Sequence, residues 1–324
     1  LSKFAETFRP ELSLTERPPL AKPVYSHRGL DSADELRKQL FPVESGKIIC
    51  TPEKLVKDLL EEHPALDGLM QEQLEQLLQK RSQGVLIFSR SWAAEVGLPK
   101  NQNVVCDALL IAGKSQPILY TVCQSRISED LFQYSRGVAQ RLKEKLVNTG
   151  GYIHKLCVIP KLLALPPNRS CGEGRDRDIQ ELYPQNQELY PQNYSQINNG
   201  NLQALLRALT VALLTFESFL SDRVGCEFLN LLTMRQYQLL SENLHRTRRL
   251  YVYGLPGTGK TVVALKIIEK IREMLPCAPE EVLYVCEYTP LRDLVRQKNI
   301  CEAVTRVAFL KGSFEGVKHI IMDE

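Results

Sequence analysis

Residues 254–261 read Gly254-Leu255-Pro256-Gly257-Thr258-Gly259-Lys260-Thr261, which fits G-x-x-x-x-G-K-[ST]. A polyphosphate needs several backbone N–H groups turned inward around its oxygens. Glycine tolerates the dihedrals and the close approach that this requires. In the pattern, the backbone of Gly254, Gly257, Thr258 and Gly259 cradles the phosphates. Lys260 brings a full positive charge to the β/γ phosphates, and the Thr261 hydroxyl is placed to ligate Mg²⁺. A helix opening near Lys260 adds the positive end of its dipole.

Phosphate chemistry also needs acids at the end of a neighbouring parallel strand, where doubly wound sheets bind ligands. The run Val317-Lys318-His319-Ile320-Ile321-Met322-Asp323-Glu324 supplies them. Asp323 is expected to hold the Mg²⁺ shell. Glu324 is expected to orient or deprotonate the attacking water. Upstream, Gln236 carries an amide able to pair with the N6 donor and N7 acceptor of adenine. ATP with Mg²⁺ is therefore the expected cofactor pair.

These groups require a strand before the glycine loop and a helix after it. Residues 250–253 (Leu250-Tyr251-Val252-Tyr253) read as the strand. Residues 262–274 read as the helix, with Val263, Ile267, Ile271 and Met274 on one face. Residues 282–286 form another apolar run, leading into Tyr288-Thr289-Pro290 and a further helix. The second unit, 226–324, is thus expected to be the first part of a P-loop NTPase: a parallel sheet with helices on both faces.

Residues 1–225 form a different unit. Residues 1–45 are proline-rich and read as an extended arm with one short helix at 32–40. Thr51-Pro52-Glu53 opens a helix, and a second follows with Leu66, Leu69, Met70, Leu74, Leu77 and Leu78 at helical spacing. Strands are expected at 84–89, 104–112, 118–124 and 152–160, with helices at 128–148 and 201–222. The order predicts a mixed α/β domain. Residues 166–200 contain the heptapeptide Gln-Glu-Leu-Tyr-Pro-Gln-Asn twice, at 180–186 and 187–193, and read as a surface loop that tolerated a duplication.

The bulk numbers exclude several classes. The chain has 324 residues, enough for about two domains. With 44% hydrophobic and 24% charged residues it is neither disordered throughout nor collagen-like. A net charge of +3 names no polyelectrolyte partner by itself. Nine cysteines without a C-x-x-C pair point to reduced thiols rather than a disulfide frame or a cysteine zinc site. The apolar stretch 208–216 falls short of the roughly 20 residues that a membrane span needs. An intracellular protein, nuclear or cytoplasmic, is expected, with no membrane partner and no secretory leader. The opening Leu1 in place of Met suggests a piece of a longer protein.

Together Thr233 to Gln236, the glycine loop, Thr289 and Asp323-Glu324 resemble the motifs of superfamily 1 helicases with a RecA-like fold. More specifically, the chain resembles the long, helicase-bearing Schlafen proteins. The carrying segments are Pro23-Val24-Tyr25-Ser26-His27-Arg28-Gly29-Leu30, Ser91-Trp92-Ala93-Ala94-Glu95-Val96, Glu188-Leu189-Tyr190-Pro191-Gln192-Asn193-Tyr194 and 251–271. The family hexapeptide is S-W-A-V/D-D-L in type, and this copy departs at its last three positions. The resemblance implies a linker domain followed by the start of a helicase-like domain. It also implies an N-terminal core that cleaves tRNA or rRNA, a C-terminal helicase lobe in the same protein, and a homodimer as one assembly. Restriction of translation or replication is the implied role, with RNA or single-stranded DNA as partner. The resemblance supports nucleotide binding better than turnover.

Three other readings stay open. Strands 104–112 and 118–124 suggest a nuclease-like core with Asp107 as its first acid. The second strand, however, offers Thr121-Val122-Cys123-Gln124, without the second carboxylate that such chemistry needs. Asp107 and the single Trp92 are therefore read as structural. A second reading makes the nucleotide site a non-hydrolysing conformational switch in an interaction module. A P-loop kinase would dispense with Gln236. Basic clusters, Arg141 with Lys143 and Lys145, and His245-Arg246-Thr247-Arg248-Arg249, are the candidate contacts to a nucleic-acid backbone.

Overall fold

The computed structural model describes residues 24–28, 30–79, 82–113, 115–124, 128–165, 199–217, 227–242 and 249–323. The duplicated heptapeptide, Arg246, Arg248 and Glu324 lie outside the described residues.

The larger unit is built on a five-stranded sheet in the order β2-β3-β4-β5-β6. The strands are β2 (Ile48–Thr51), β3 (Gly84–Ser89), β4 (Val104–Ala112), β5 (Ile118–Cys123) and β6 (Ile159–Ala164). β2 runs parallel to β3, β4 is antiparallel to both of its neighbours, and β6 is parallel to β5. The strands read as near-continuous apolar runs because both faces are covered. Val85, Ile87, Leu109, Ile111 and Leu119 pack into one core. Their neighbours Leu86, Phe88, Ala108, Leu110 and Tyr120 pack into the other. This is the period-two alternation of a pleated strand with apolar residues on both sides.

Helices cover the two faces. α1 (Ala33–Leu40), α5 (Glu129–Asn148) and α6 (Asn199–Leu214) lie on the first side, together with the short α4 (Trp92–Glu95). α2 (Glu53–Glu62) and α3 (Ala65–Gln79) lie on the second, through Leu59, Leu66, Met70 and Leu74. Trp92 is 1% exposed and its indole N–H donates to Ile87 O at 3.2 Å, so it is a packing anchor.

A small sheet, β1-β8-β7, joins β1 (Val24–Arg28), β7 (Thr215–Glu217) and β8 (Glu227–Leu231). A third sheet, β10-β9-β11, is fully parallel. It comprises β9 (Val282–Cys286), β10 (Glu302–Thr305) and β11 (His319–Asp323). α8 (Lys260–Met274) and α9 (Thr289–Gln297) pack on one face through Ala264, Leu265, Ile268 and Val295. Phe309 of α10 (Arg306–Lys311), with Phe314 and Val317, covers the other. The protein is mixed α/β with sheets flanked by helices, consistent with a partial P-loop NTPase-like fold. Among the described residues no helix is long and apolar enough to cross a membrane.

Three expected elements differ. Residues 250–253 form no strand, and Tyr251 and Tyr253 are exposed. The expected helix 201–222 stops at Leu214, because Thr215 and Phe216 pair with Leu231 and Asn230 as strand. The expected strand 152–160 lies further along, at Ile159–Ala164. Pro160 fits there because β6 is an edge strand. Ile159 N–H donates inward to Pro117 O, so the next residue's missing N–H faces outward.

Candidate functional site

The sequence 254–261 folds as a tight turn running straight into α8. Gly257 and Gly259 adopt φ of 78° and 82°, the left-handed region where a side chain is strained. Gly259 is the residue before α8, so the loop delivers its backbone to the positive end of a helix of 15 residues. A Cβ at Gly254 would lie 2.6 Å from Thr258 Oγ1. The loop therefore folds back on itself at that point. Thr258 Oγ1 donates to Leu255 O at 2.8 Å and closes the turn. Lys260 Nζ donates to Gly254 O at 2.9 Å and Leu255 O at 3.2 Å, which holds the ammonium over the loop it closes.

Gln236 stands beside this loop on α7 (Met234–Glu242). Its Nε2 donates to Thr258 O at 3.0 Å, and a Cβ on Gly259 would approach that same nitrogen to 2.6 Å. Its Oε1 accepts the N–H of Thr233 at 2.9 Å, while Gln236 N donates to Thr233 Oγ1 at 3.4 Å. Thr233 and Gln236 thus form a capping box at the start of α7. Both ends of the amide are engaged within the protein. The sequence carried that signal, since Thr233-Met234-Arg235-Gln236 is S/T-x-x-E/Q.

Asp323 closes β11, beside Cys286 at the carboxyl end of the parallel strand β9. Its Oδ2 accepts from Tyr284 OH at 2.6 Å. Burial, then the Asp323 carboxylate, push the Tyr284 phenol well above its ordinary range, so the hydroxyl remains a donor that aims the acid. Tyr284 lies in the middle of a fully buried strand, and a buried tyrosine hydroxyl calls for such a partner. Thr261 sits in the first turn of α8, half-buried. Oxygen donors such as its hydroxyl and the Asp323 carboxylate suit Mg²⁺, which one or two carboxylates hold together with substrate phosphates.

A second cluster, not anticipated from the sequence, lies at the far end of α8. Lys270 Nζ donates to Ala94 O at 2.9 Å and to Glu95 Oε2 at 3.0 Å. Lys145 Nζ donates to Glu95 O at 3.2 Å. Burial holds the Lys145 ammonium below its ordinary range and pushes the Glu273 carboxyl up to about 7. No sequence signal marks these contacts, because Glu95 and Lys270 are 175 residues apart.

Asp107 is wholly buried, and its Oδ2 accepts the N–H of Trp92 at 2.8 Å. It caps α4 from inside the core. Thr121, opposite it on β5, exchanges a hydrogen bond with Ser135 at 3.0 Å.

Residues 46–195 match the family described as Schlafen, GTPase-like domain. Over these residues the chain is similar to that Schlafen domain. The matched residues hold the five-stranded sheet. The glycine loop at 254–261 and its acid at Asp323 lie beyond them.

Proposed function

We propose that this chain is the linker and the ATP/Mg²⁺-binding start of a helicase-like domain in a long Schlafen protein that acts on RNA. The observation that carries the reading is the turn at 254–261. Its two left-handed glycines, Gly257 and Gly259, lead into α8, and its lysine is the first residue of that helix. Gly254, Gly257 and Thr258 are exposed, so the loop's polar groups are open to a polyphosphate. Bound nucleotide would supply the phosphate charge and bring Mg²⁺ with it. Lys260 would exchange its loop carbonyls for β/γ oxygens, and Thr261 and Asp323 would hold the ion. Gln236 would keep Thr258 in place. Glu324, next after Asp323, is assigned to the attacking water.

The partner is RNA, tRNA or rRNA in the first instance, with single-stranded DNA as the second candidate. Arg249, exposed and shortly before the loop in the sequence, offers a backbone contact. Cleavage of RNA would fall to a core outside this sequence, with the helicase lobe completing the motor in an intracellular protein, monomeric or dimeric.

The test is equilibrium binding of a fluorescent ATP analogue with Mg²⁺ to the chain and to Lys260→Ala. A charged hydrogen-bond donor contributes about 1.5–3 kcal/mol, so affinity should fall roughly ten- to hundredfold. Equal binding by both would remove the role of the loop. A non-hydrolysing switch is the second reading, favoured by the tie between α8 and the sheet domain through Lys270 and Glu95. Phosphate release measured with and without RNA separates the two.

A further inference from the structure

The hexapeptide Ser91-Trp92-Ala93-Ala94-Glu95-Val96 has so far no part in the chemistry, yet it grips the helix that opens at the phosphate loop. Lys270 of α8 reaches Ala94 O and Glu95 Oε2, with the two charged side chains only 19% and 17% exposed. Lys145 of α5 holds the main-chain carbonyl of the same Glu95 at 3.2 Å. The main chain follows: Lys100 N donates to Glu273 O at 2.8 Å, and Gln102 Nε2 donates to Met274 O at 3.4 Å. The distal half of α8 is therefore tied by side chain and backbone to residues 94–102.

An α-helix rises 1.5 Å per residue, so Lys270 stands about 15 Å along the axis from Lys260. The proximal end carries the loop. That end is held separately, by the Gln236 amide on Thr258 O and by Val263 packed with Leu214, Leu232 and Leu240, while Leu255 at the loop tip is 77% exposed. Loop and clasp are thus two ends of one helix, and a shift of α8 at residues 94–102 moves the loop against α7.

Resting on the nucleotide-binding reading above, we infer that Glu95 and Lys270 are positioning residues for the glycine loop, and that their clasp carries nucleotide occupancy into the Schlafen-type sheet domain. Coupling of this kind is reciprocal. If the clasp improves nucleotide binding, nucleotide must tighten the clasp.

Two measurements on the whole chain test this. Hydrogen exchange at residues 92–104, followed with and without the fluorescent ATP analogue and Mg²⁺, should slow on binding, above all at the Lys100 amide. Affinity for the same analogue should fall on the order of fivefold or more in Lys270→Met and in Glu95→Gln. The double variant should be no weaker than the worse single one, and Lys270→Arg, which keeps both donors, should stay within about threefold of the original. Circular dichroism melts identify any variant that has lost its fold, and the exchange data on the unaltered chain then stand alone. Nucleotide binding that leaves exchange at 92–104 unchanged overturns the inference and leaves the proposed function intact. A chain that binds no more nucleotide than Lys260→Ala overturns both.

Discussion

The carboxylate of Asp107 accepts the main-chain N–H of Trp92 at 2.8 Å, with the two residues 0% and 1% exposed. A strand residue thereby caps the helix that carries Glu95. Removing the acceptor strands a buried N–H, which costs about 1–3 kcal/mol. Asp107→Ala should lower the unfolding free energy from urea titration by that amount. Asp107→Asn keeps an acceptor oxygen and should retain most of the stability. A nuclease role for Asp107 predicts no such difference between the two variants in folding.

Buried Asp107 and half-buried Glu273 both contribute to the pH dependence of folding. Burial raises Asp107 from 3.8 to about 6, against the opposing pull of the Trp92 N–H. Burial raises Glu273 from 4.5 to about 7, with Lys270 and Lys145 opposing and Glu95 and Glu269 adding. A raised carboxyl pKa means that the folded state holds protons which the unfolded state has already released. Stability therefore falls as pH rises from about 4 to about 7 and levels off above that. At 1.36 kcal/mol per pKa unit the Glu273 contribution reaches a few kcal/mol. Urea unfolding of Glu273→Gln should be flatter than the original between pH 5 and 7. An unchanged slope would remove the assignment.

Most strands of the sheet domain were legible because burial on both faces leaves long apolar runs, and β3 and β4 begin and end where the sequence places them. Elements whose identity depends on a distant partner were not. β7 is a strand because β8 lies beside it, and its apolar residues read equally well as a continued helix. At 250–253 the apolar pattern suits a strand, but the described structure gives it no partner. The glycine loop was legible because its chemistry is local. The capping box at Gln236 was local too, yet the adenine reading of that amide masked it. The clasp at Lys270 depends wholly on tertiary packing and left no pattern to read.

Gly150 shows how closely the sheet domain's helices approach. A Cβ there would lie 2.4 Å from Ala208 O and 2.7 Å from Leu146 O. Both are backbone atoms and do not swing aside. Gly150→Ala should force α5 and α6 apart and cost about 1–3 kcal/mol. Its thermal midpoint should fall by several degrees, whereas Gly68→Ala, at an open helical site, should be neutral or slightly stabilising.

Gln236 offers the sharpest test of what its amide does. One end caps α7 through Thr233 and the other holds Thr258 O. A side chain spent in this way supports the loop whatever base the nucleotide carries. Gln236→Ala should cost about 1 kcal/mol of stability through the lost cap. It should also weaken the fluorescent ATP and GTP analogues by the same factor, leaving their ratio within about twofold. If the amide instead turns to the base on binding, only the adenine nucleotide suffers. A change at a buried or base-reading hydrogen bond is worth roughly 1 kcal/mol or more, which titration of the two analogues resolves. Gln236→Glu sharpens the contrast. Its carboxylate still accepts from Thr233 N–H but cannot donate to Thr258 O, so it should keep the cap, lose the loop contact, and weaken both nucleotides while the melting temperature holds.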